Sequence, residues 1–200
     1  MTRQYRPTRI VGPLFYGWFP RLSGTNWRIR SPYDDDYQCI AWAAMHTDRH
    51  MWPHEDYSWF PGAPLYPGDD REATADLFVK GFSRIGYKPI GKDSRHWVPG
   101  FQKLAIYATE VGVSHMARQR FLGRGWLSKA GVHEDIIHRR LYDIEGDVSA
   151  IAATAGSYGK VVEILRRSWW SALKYGCVAR AYRITREMRE YRRAHKWDTP

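Results

Sequence analysis

The chain has little cysteine, and this scarcity excludes two kinds of protein. Only two cysteines occur among the 200 residues, Cys39 and Cys177. Two thiols cannot form a disulfide framework, so the composition fits a reducing compartment. No Cys-x-x-Cys pair is present, which argues against a zinc site with paired thiolate ligands. A Gly-rich phosphate loop and a Gly-x-Ser-x-Gly elbow are missing as well.

Long hydrophobic runs are also absent. The longest apolar stretch near the start, "IVGPLFYGWFP", is interrupted by Pro13 and Pro20. It is too short to span a membrane, and it lacks the apolar core and the small-residue cleavage site of a signal peptide. We therefore expect no transmembrane segment and no classical signal peptide. The predicted location is the cytoplasm, or another compartment reached through a specialised secretion system.

What the chain has in excess is positive charge and aromatic side chains. There are 31 Lys and Arg against 21 acidic residues, for a formal net charge of +10, together with ten Trp and thirteen Tyr. Such a charge favours an anionic partner, which would be nucleic acid, a membrane surface or an acidic protein. The charge is equally compatible with a soluble basic protein that has no such partner.

The residue pattern divides the chain into three regions. Residues 1–30 form an irregular basic arm, and residues 31–167 form the core domain. In residues 168–200, apolar side chains at three- and four-residue steps predict a long amphipathic helix with eight Lys or Arg and three acids. Its arginines are candidates for binding nucleic acid or a protein partner. They are Arg180, Arg183, Arg186, Arg189 and Arg193.

Within the core, the periodicity predicts two helices followed by a sheet. One helix begins near Gln38, after a run of acidic residues, and has Cys39 in its first turn. A second, amphipathic helix lies within 71–87 and ends at Gly86. Strands are predicted in 101–109, 113–121, 123–131 and 157–167. Residues 133–144 form either a helix or a connecting segment, and the fold class is α+β.

Cys39 and His115 are the candidate catalytic residues. A cysteine attacks as a thiolate, and its pKa of about 8.5 falls at a helix N-terminus or beside an imidazolium. Cys39 is predicted to open a helix, and His115 lies on a predicted strand. A third polar group would orient the imidazole, and Ser128 on the following strand is one candidate. Its rivals are Gln119, Asp135 and His138.

Residues around this pair would complete the site. Tyr37 or Gln38, directly before the cysteine, would supply an oxyanion donor beside the backbone N–H groups of the helix. Trp42 and Gln119 are further candidates for contacting the oxyanion or the substrate. This chemistry requires no cofactor.

The same residues allow other interpretations. A single cysteine in an apolar run is more often a buried packing residue than a nucleophile, and a histidine on a strand is usually structural. His46, His50 and His54 have the i, i+4, i+8 spacing of one helix face. Pro53 interrupts that helix, so no metal site is predicted.

The motifs together resemble an uncharacterised bacterial domain family, with the pattern N-C-I-A-W-A, H-A-A-R-Q, S-K-L-G and D-I-x-H. The matching segments run from about Ser31 to Arg167 and include "YQCIAWA", "REATADLFVKGFSRIGY", "PGFQKLAIYA", "VSHMARQ", "GWLSKAG", "HEDIIH" and "YGKVVEILRR". Gln38, Met116 and Ala130 depart from the family pattern without removing a candidate catalytic group. The family's layout is similar to that of papain-like-fold cysteine peptidases and amidases, a group that includes toxin domains.

This resemblance implies a fold and a function. The implied fold is a papain-like α+β core in which the Cys39 helix packs on an antiparallel sheet, followed by the long basic C-terminal helix. The implied function is cysteine-dependent hydrolysis or acyl transfer on a peptide-like amide, with Cys39 as nucleophile and His115 as base. An effector or toxin role is compatible with it. The alternative is a non-catalytic basic protein that binds nucleic acid or an assembly partner through the C-terminal helix.

Overall fold

A seven-stranded antiparallel sheet forms the centre of the fold. The computed structural model describes residues 19–22, 25, 27–31, 33–68, 73–121, 124–131, 133–146, 158–175, 186 and 190. The strands are β1 (Arg28–Ile29), β2 (Lys88–Pro89), β3 (Phe101–Ala108), β4 (Val113–Gln119), β5 (Trp126–Lys129), β6 (Asp135–His138) and β7 (Lys160–Ser168). Their order across the sheet is β1-β6-β5-β4-β3-β7-β2. All neighbours are antiparallel.

β3 lies inside the sheet and is paired along its length. Ala105 is opposite Ala117 of β4 on one side and Ile164 of β7 on the other. Leu104 to Tyr107 are fully buried, because both faces of the sheet are covered. Burial on both faces explains why this strand is a continuous apolar run in the sequence and not an alternation of apolar and polar residues.

Two helices, α1 (Cys39–Ala43) and α2 (Ala75–Ser83), cover one face, which we call the helix face. Gln38 caps α1, since its side-chain oxygen accepts a hydrogen bond of 3.0 Å from the Ala41 N–H. The helix ends after one turn where Met45 adopts a left-handed conformation with φ 65°. The core on this face includes Ile40, Trp42, Phe78, Phe82, Leu104, Ile106, Met116 and Leu165.

The other face, which we call the opposite face, is covered by irregular chain and two 3₁₀ turns, Pro20–Leu22 and Leu141–Ile144. Ala105 and Tyr107 point to this face, whereas Leu104 and Ile106 of the same strand point to the helix face. This division follows from the alternation of side chains along a strand. The core here includes Phe19, Leu22, Ala105, Tyr107, Ala117, Trp126, Ile136, Ile144 and Ile164.

The predicted positions of most core elements are confirmed. β3, β4 and β5 lie in segments predicted as strands, and β7 overlaps the fourth such segment and ends one residue beyond it. α2 lies in the segment predicted as an amphipathic helix. Residues 133–144, predicted as a helix or a connection, instead form β6 and a 3₁₀ turn. β6 has only four residues, three of them buried, and a segment of this length is too short for its sequence pattern to be distinctive.

The papain-like fold class is wrong. The described residues form mostly a seven-stranded antiparallel sheet, with three short α-helices. α1 has only five residues, so it is not the long helix that the papain-like layout requires. β6 and β1 also extend the sheet beyond the expected meander. None of the described helices is long and apolar enough to cross a membrane.

The predicted long C-terminal helix is not observed in the described residues. The helix that follows β7, α3 (Trp169–Lys174), has six residues, and its Trp170 is 81% exposed. Arg186 forms an ion pair of 2.8 Å with Glu190. The other predicted partner-binding arginines, namely Arg180, Arg183, Arg189 and Arg193, lie outside the described residues, as do residues 1–18 of the predicted arm.

Replacing Gly159 by Ala should test the packing of β7 against β3. Gly159 has φ +72°, and an added Cβ would overlap the backbone carbonyl of Ala108. We expect Gly159→Ala to lower the free energy of unfolding by about 2 kcal/mol or more, because both the left-handed backbone and the overlap are unfavourable. Urea unfolding followed by tryptophan fluorescence measures the change.

Gly91→Ala is the matched control. Gly91 has φ +80°, but an added Cβ would have no heavy atom within 4 Å. Gly91→Ala should therefore lower the free energy of unfolding by only about 1 kcal/mol, because alanine is less favourable than glycine in the left-handed conformation. Equal losses in the two variants would contradict the close contact between Gly159 and Ala108.

Candidate functional site

Cys39 is buried on the helix face at the first position of α1. Its side chain has 7% exposure, and the sulfur lies within hydrogen-bonding reach of the backbone N–H groups of Met116 and Ile40. Those N–H groups and the charge of Lys129 favour a thiolate, but burial has the larger effect and raises the pKa of Cys39 to about 11. At neutral pH the side chain is therefore a thiol.

His115 is buried on the opposite face. On β4 it is directly across from Tyr107, and its ring stacks on that of Tyr158 with centroids 3.8 Å apart and an interplanar angle of 8°. Neither ring nitrogen has a hydrogen-bond partner among the residues that the structure describes. Burial, with a smaller contribution from His138, holds the pKa of His115 well below its usual value. The ring is therefore neutral at neutral pH.

The structure does not bring Cys39 and His115 together as a pair. Met116 packs with Cys39 in the helix-face core, and the adjacent His115 projects to the other side because side chains alternate along β4. No hydrogen bond joins the thiol to the imidazole, since both imidazole nitrogens are without partners. The arrangement lacks the contact through which a histidine activates a cysteine.

Ser128, the candidate third member, pairs with a different histidine. Its Oγ lies 2.9 Å from Nε2 of His138, and Nδ1 of His138 lies 2.8 Å from the carbonyl oxygen of Arg140. This assigns the proton to Nδ1, so that Nε2 accepts from the serine hydroxyl. Burial lowers the pKa of His138 to about 4. Gln119 is buried on the same face, and within the described part of the chain its Oε1 has no hydrogen-bond partner.

Tyr37 and Asp135 belong to a buried polar cluster on the helix face. The Tyr37 hydroxyl donates to Asp135, with oxygens 3.2 Å apart, and the Lys129 ammonium lies 4.6 Å from the centre of the Tyr37 ring. Burial raises the pKa of Asp135, while Lys129 and Arg30 act in the other direction. The hydroxyl of Tyr37 is thus already hydrogen-bonded within the core.

Gln38 and Trp42 also have structural contacts. The Gln38 side chain caps α1 and donates to the carbonyl oxygen of Met51. Trp42 is fully buried, with the Arg118 guanidinium 4.2 Å from its ring centroid and Arg118 Nη1 donating to its carbonyl oxygen at 3.1 Å. Neither side chain is available to a substrate in this arrangement.

The three histidines at four-residue spacing lie near separate partners. His46 is 3.5 Å from Asp48 and His54 is 3.4 Å from Asp56, while His50 contacts the carbonyl oxygen of Asp35 at 2.9 Å. Among the described residues, the side chains that come close enough to share a cation are Asp34, Asp35 and Asp36. Two of these three acids are exposed, and clusters of exposed carboxylates are common without any ion.

A basic cleft of about 290 Å³ lies at the end of the sheet where β4 turns into β5. Four of its lining residues are arginines, and none of the described residues that line it is acidic. We call it the arginine cleft. It is lined by Trp27, Arg28, Arg120, Arg124, Gly125, Ile137, His138 and Arg139.

The arginines meet because their strands end at the same end of the sheet. Arg120 directly follows β4, and Arg124 lies in the turn before β5. Arg139 directly follows β6, and Arg28 begins β1 opposite Ile137 of β6. In an antiparallel pair, the end of one strand lies beside the beginning of its neighbour. Three separate segments, namely the start of β1, the β4–β5 turn and the end of β6, therefore place four arginines in one cleft.

The cleft has an apolar and neutral inner wall and a charged rim. Gly125 and His138 are buried, whereas Arg28, Arg124 and Arg139 are exposed. Among the described residues, none of these three arginines forms an ion pair. His138 adds no charge at neutral pH, because its pKa is about 4. The rim therefore presents guanidinium groups that other described side chains do not neutralise.

The arginine cleft was missed in the sequence, although a signal for it exists. Arginines occur near the ends of two predicted strand segments, in "RQRF" and "GRGW", and again in "IIHRR". Each is unremarkable alone, since an arginine beside a strand is usually solvated. Their convergence depends on the strand order, with β6 between β5 and β1, and the segment that forms β6 was not predicted as a strand.

The model of a protein family described as domain of unknown function DUF7689 matches residues 28–166. The match covers more than half of the chain, which therefore belongs to this family. The predicted membership of an uncharacterised domain family is confirmed, and the similarity to papain-like enzymes is not. No curated protein and no solved structure matches the chain.

Labelling of Cys39 tests its protonation state. With a pKa raised to about 11 from an ordinary 9.0, the folded protein should react with iodoacetamide on the order of a hundredfold more slowly at pH 8 than the urea-unfolded protein. A Cys177→Ser background makes Cys39 the single thiol, and mass spectrometry measures the rate. A thiolate that titrates below pH 8 would contradict the geometry and favour the hydrolase prediction.

Acid stability tests the environment of His138. Its folded pKa of about 4 lies below the ordinary 6.5, so the unfolded state binds the proton first as pH falls. Stability is therefore complete above about pH 6.5 and is lost as pH falls from there towards 4. We expect a loss of about 2.5 kcal/mol from this residue at pH 4.5. Urea unfolding at pH 7.5 and 4.5 measures it.

The matched variants are His138→Asn and His96→Gln. His138→Asn should reduce the difference in unfolding free energy between the two pH values, whatever its effect at pH 7.5. His96 is exposed, and its replacement serves as the control. A pH difference that is unchanged in His138→Asn would contradict this account.

Proposed function

We propose that this DUF7689 domain binds nucleic acid through phosphate groups that contact the arginine cleft. The observation that carries the proposal is the convergence of four arginines on one cleft that has no acidic residue among its described lining. A guanidinium forms two parallel hydrogen bonds with phosphate oxygens and remains charged at any physiological pH. The net charge of +10 supports the same class of partner, since it attracts polyanions over a distance.

The shape of the cleft favours nucleic acid over an acidic protein. Stable protein interfaces bury about 800 Å² on each partner and have an apolar centre. The arginine cleft is instead small and concave, with guanidinium groups at its rim. Trp27 and Ile137 add an apolar surface inside it, against which a nucleobase would pack. An accessible base is a property of single-stranded nucleic acid.

Cysteine-dependent hydrolysis stays a prediction that the geometry does not favour. It would require Cys39 to reach a base, whereas the thiol lies on the helix face and His115 lies on the opposite face. The binding alternative is retained, and the surface assigned to it changes. The arginine cleft replaces the C-terminal arginines, most of which lie outside the described residues.

Neutralising two arginines of the cleft tests the proposal. Arg124 and Arg139 are exposed, so Arg124→Gln/Arg139→Gln should fold normally. The probe is a 20-nucleotide single strand with a 5′-phosphate, a 3′-phosphate and an internal fluorophore. We expect the affinity for this strand to fall at least about tenfold, because hydrogen bonds between charged groups are lost. The slope of log K against log salt should decrease by about 1.4, because two phosphate contacts are lost. Fluorescence anisotropy measures both quantities.

Arg49→Gln/Lys92→Gln is the control with the same loss of charge. Both residues are exposed and lie outside the cleft. A general effect of net charge would weaken both double variants equally and would contradict binding at the cleft. Binding of the strand by neither the parent protein nor the variants would reject a nucleic-acid partner, and cleft-dependent binding of a poly-Glu peptide alone would indicate an acidic protein.

A further inference from the structure

The size of the arginine cleft limits what enters it. Its volume of about 290 Å³ is at the lower end of the range of about 300–1,000 Å³ found for small-molecule sites. One nucleotide-sized group fits such a volume, and a long segment of strand does not. A continuous strand would instead need an extended groove that follows several phosphates, with site sizes of about 4–16 nucleotides.

The positive charge of the cleft is larger than the negative charge of one internal nucleotide. An internal phosphodiester has a single negative charge, whereas four guanidinium groups line this one cleft. A terminal phosphomonoester has a charge of about −1.5 to −2 at neutral pH and three acceptor oxygens. Its oxygens can accept hydrogen bonds from two arginines at once, each in a bidentate arrangement. A monoester therefore matches the cleft better than a diester does.

The inner wall of the cleft favours a ligand whose terminal group enters the cleft. Gly125 has no side chain, and its backbone lies against that of His138, since an added Cβ would be 3.0 Å from the His138 carbonyl oxygen. Arg120 approaches from the same turn, with Nη1 donating to the Arg124 carbonyl oxygen at 3.3 Å. The arginines come from different strand ends and line one cleft of about 290 Å³.

We infer that the arginine cleft recognises a terminal phosphomonoester, the charged end of a nucleic-acid strand or of a free nucleotide. This inference rests on the proposed function and narrows it from phosphate groups in general to a terminal phosphate. The ligand is bound by hydrogen bonds and charge, with its terminal nucleoside against Trp27 and Ile137. No covalent step is involved.

The experiment compares strands that differ only at one end. The probes are a 10-nucleotide strand with a 5′-hydroxyl, the same strand with a 5′-phosphate or a 3′-phosphate, and the strand with a 5′-phosphate methyl ester. The methyl ester keeps the phosphorus atom and removes one charge. Nucleoside monophosphate is added as a competitor to distinguish a strand end from a free nucleotide. Anisotropy is measured with the parent protein, Arg124→Gln/Arg139→Gln and the Arg49→Gln/Lys92→Gln control.

We expect at least one phosphomonoester strand to bind about tenfold or more tightly than the hydroxyl and methyl-ester strands. This preference should disappear in the cleft variant and persist in the control. Competition by the mononucleotide at equal concentration would identify a free nucleotide as sufficient, and competition only by strands would identify a strand end.

Two results would overturn the inference, and they differ in whether the proposed function is also rejected. Equal binding of all strands, still weakened in the cleft variant, rejects the terminal phosphate but keeps phosphate binding at the cleft. Binding of no probe, or binding unaffected by the cleft variant, rejects both the inference and the proposed function. Circular dichroism of the variants confirms that a loss of binding is not a loss of fold.

Discussion

The pairing of β3 with β4 and β7 is the constraint on which the rest of the structure depends. These strands are covered on both faces, so their buried apolar side chains belong to one of two cores. A shift of one residue would move Leu104 and Ile106 to the opposite face and Ala105 and Tyr107 to the helix face, which would disrupt both cores. The register is therefore fixed by packing, and it determines where every polar residue of these strands points.

The candidate catalytic residues show the consequence of this register. On β4, Met116 lies beside Cys39, so the adjacent His115 must lie on the other side of the sheet. Burial favours the neutral forms of Cys39 and His115, because it raises the pKa of the thiol and lowers the pKa of the imidazole. Ser128 and Tyr37 likewise make their hydrogen bonds within the cores. The hydrogen bonds of Ser128 and Tyr37 stabilise the fold. None of the four side chains presents a reactive atom to solvent, because all of them are buried.

The ends of the strands are under a different constraint, because residues there can reach solvent. Arg28, Arg120, Arg124 and Arg139 lie at or beside strand ends, and the order of β1, β6, β5 and β4 brings them around one cleft. Binding sites commonly lie on turns that a rigid sheet holds in position. The DUF7689 match spans residues 28–166 and so includes all four arginines together with the sheet that positions them.

The sequence by itself determined the local structure, the positive charge and the family. The apolar run of β3, the amphipathic period of α2 and the position of Cys39 at the start of α1 were all predictable, because each depends on neighbouring residues. Only the tertiary structure decided which residues meet. Cys39 and His115 point to different faces of the sheet. Arg28 and Arg139 lie in the same cleft because β1 pairs with β6. Both outcomes depend on pairings between distant segments, and local periodicity contains no information about them.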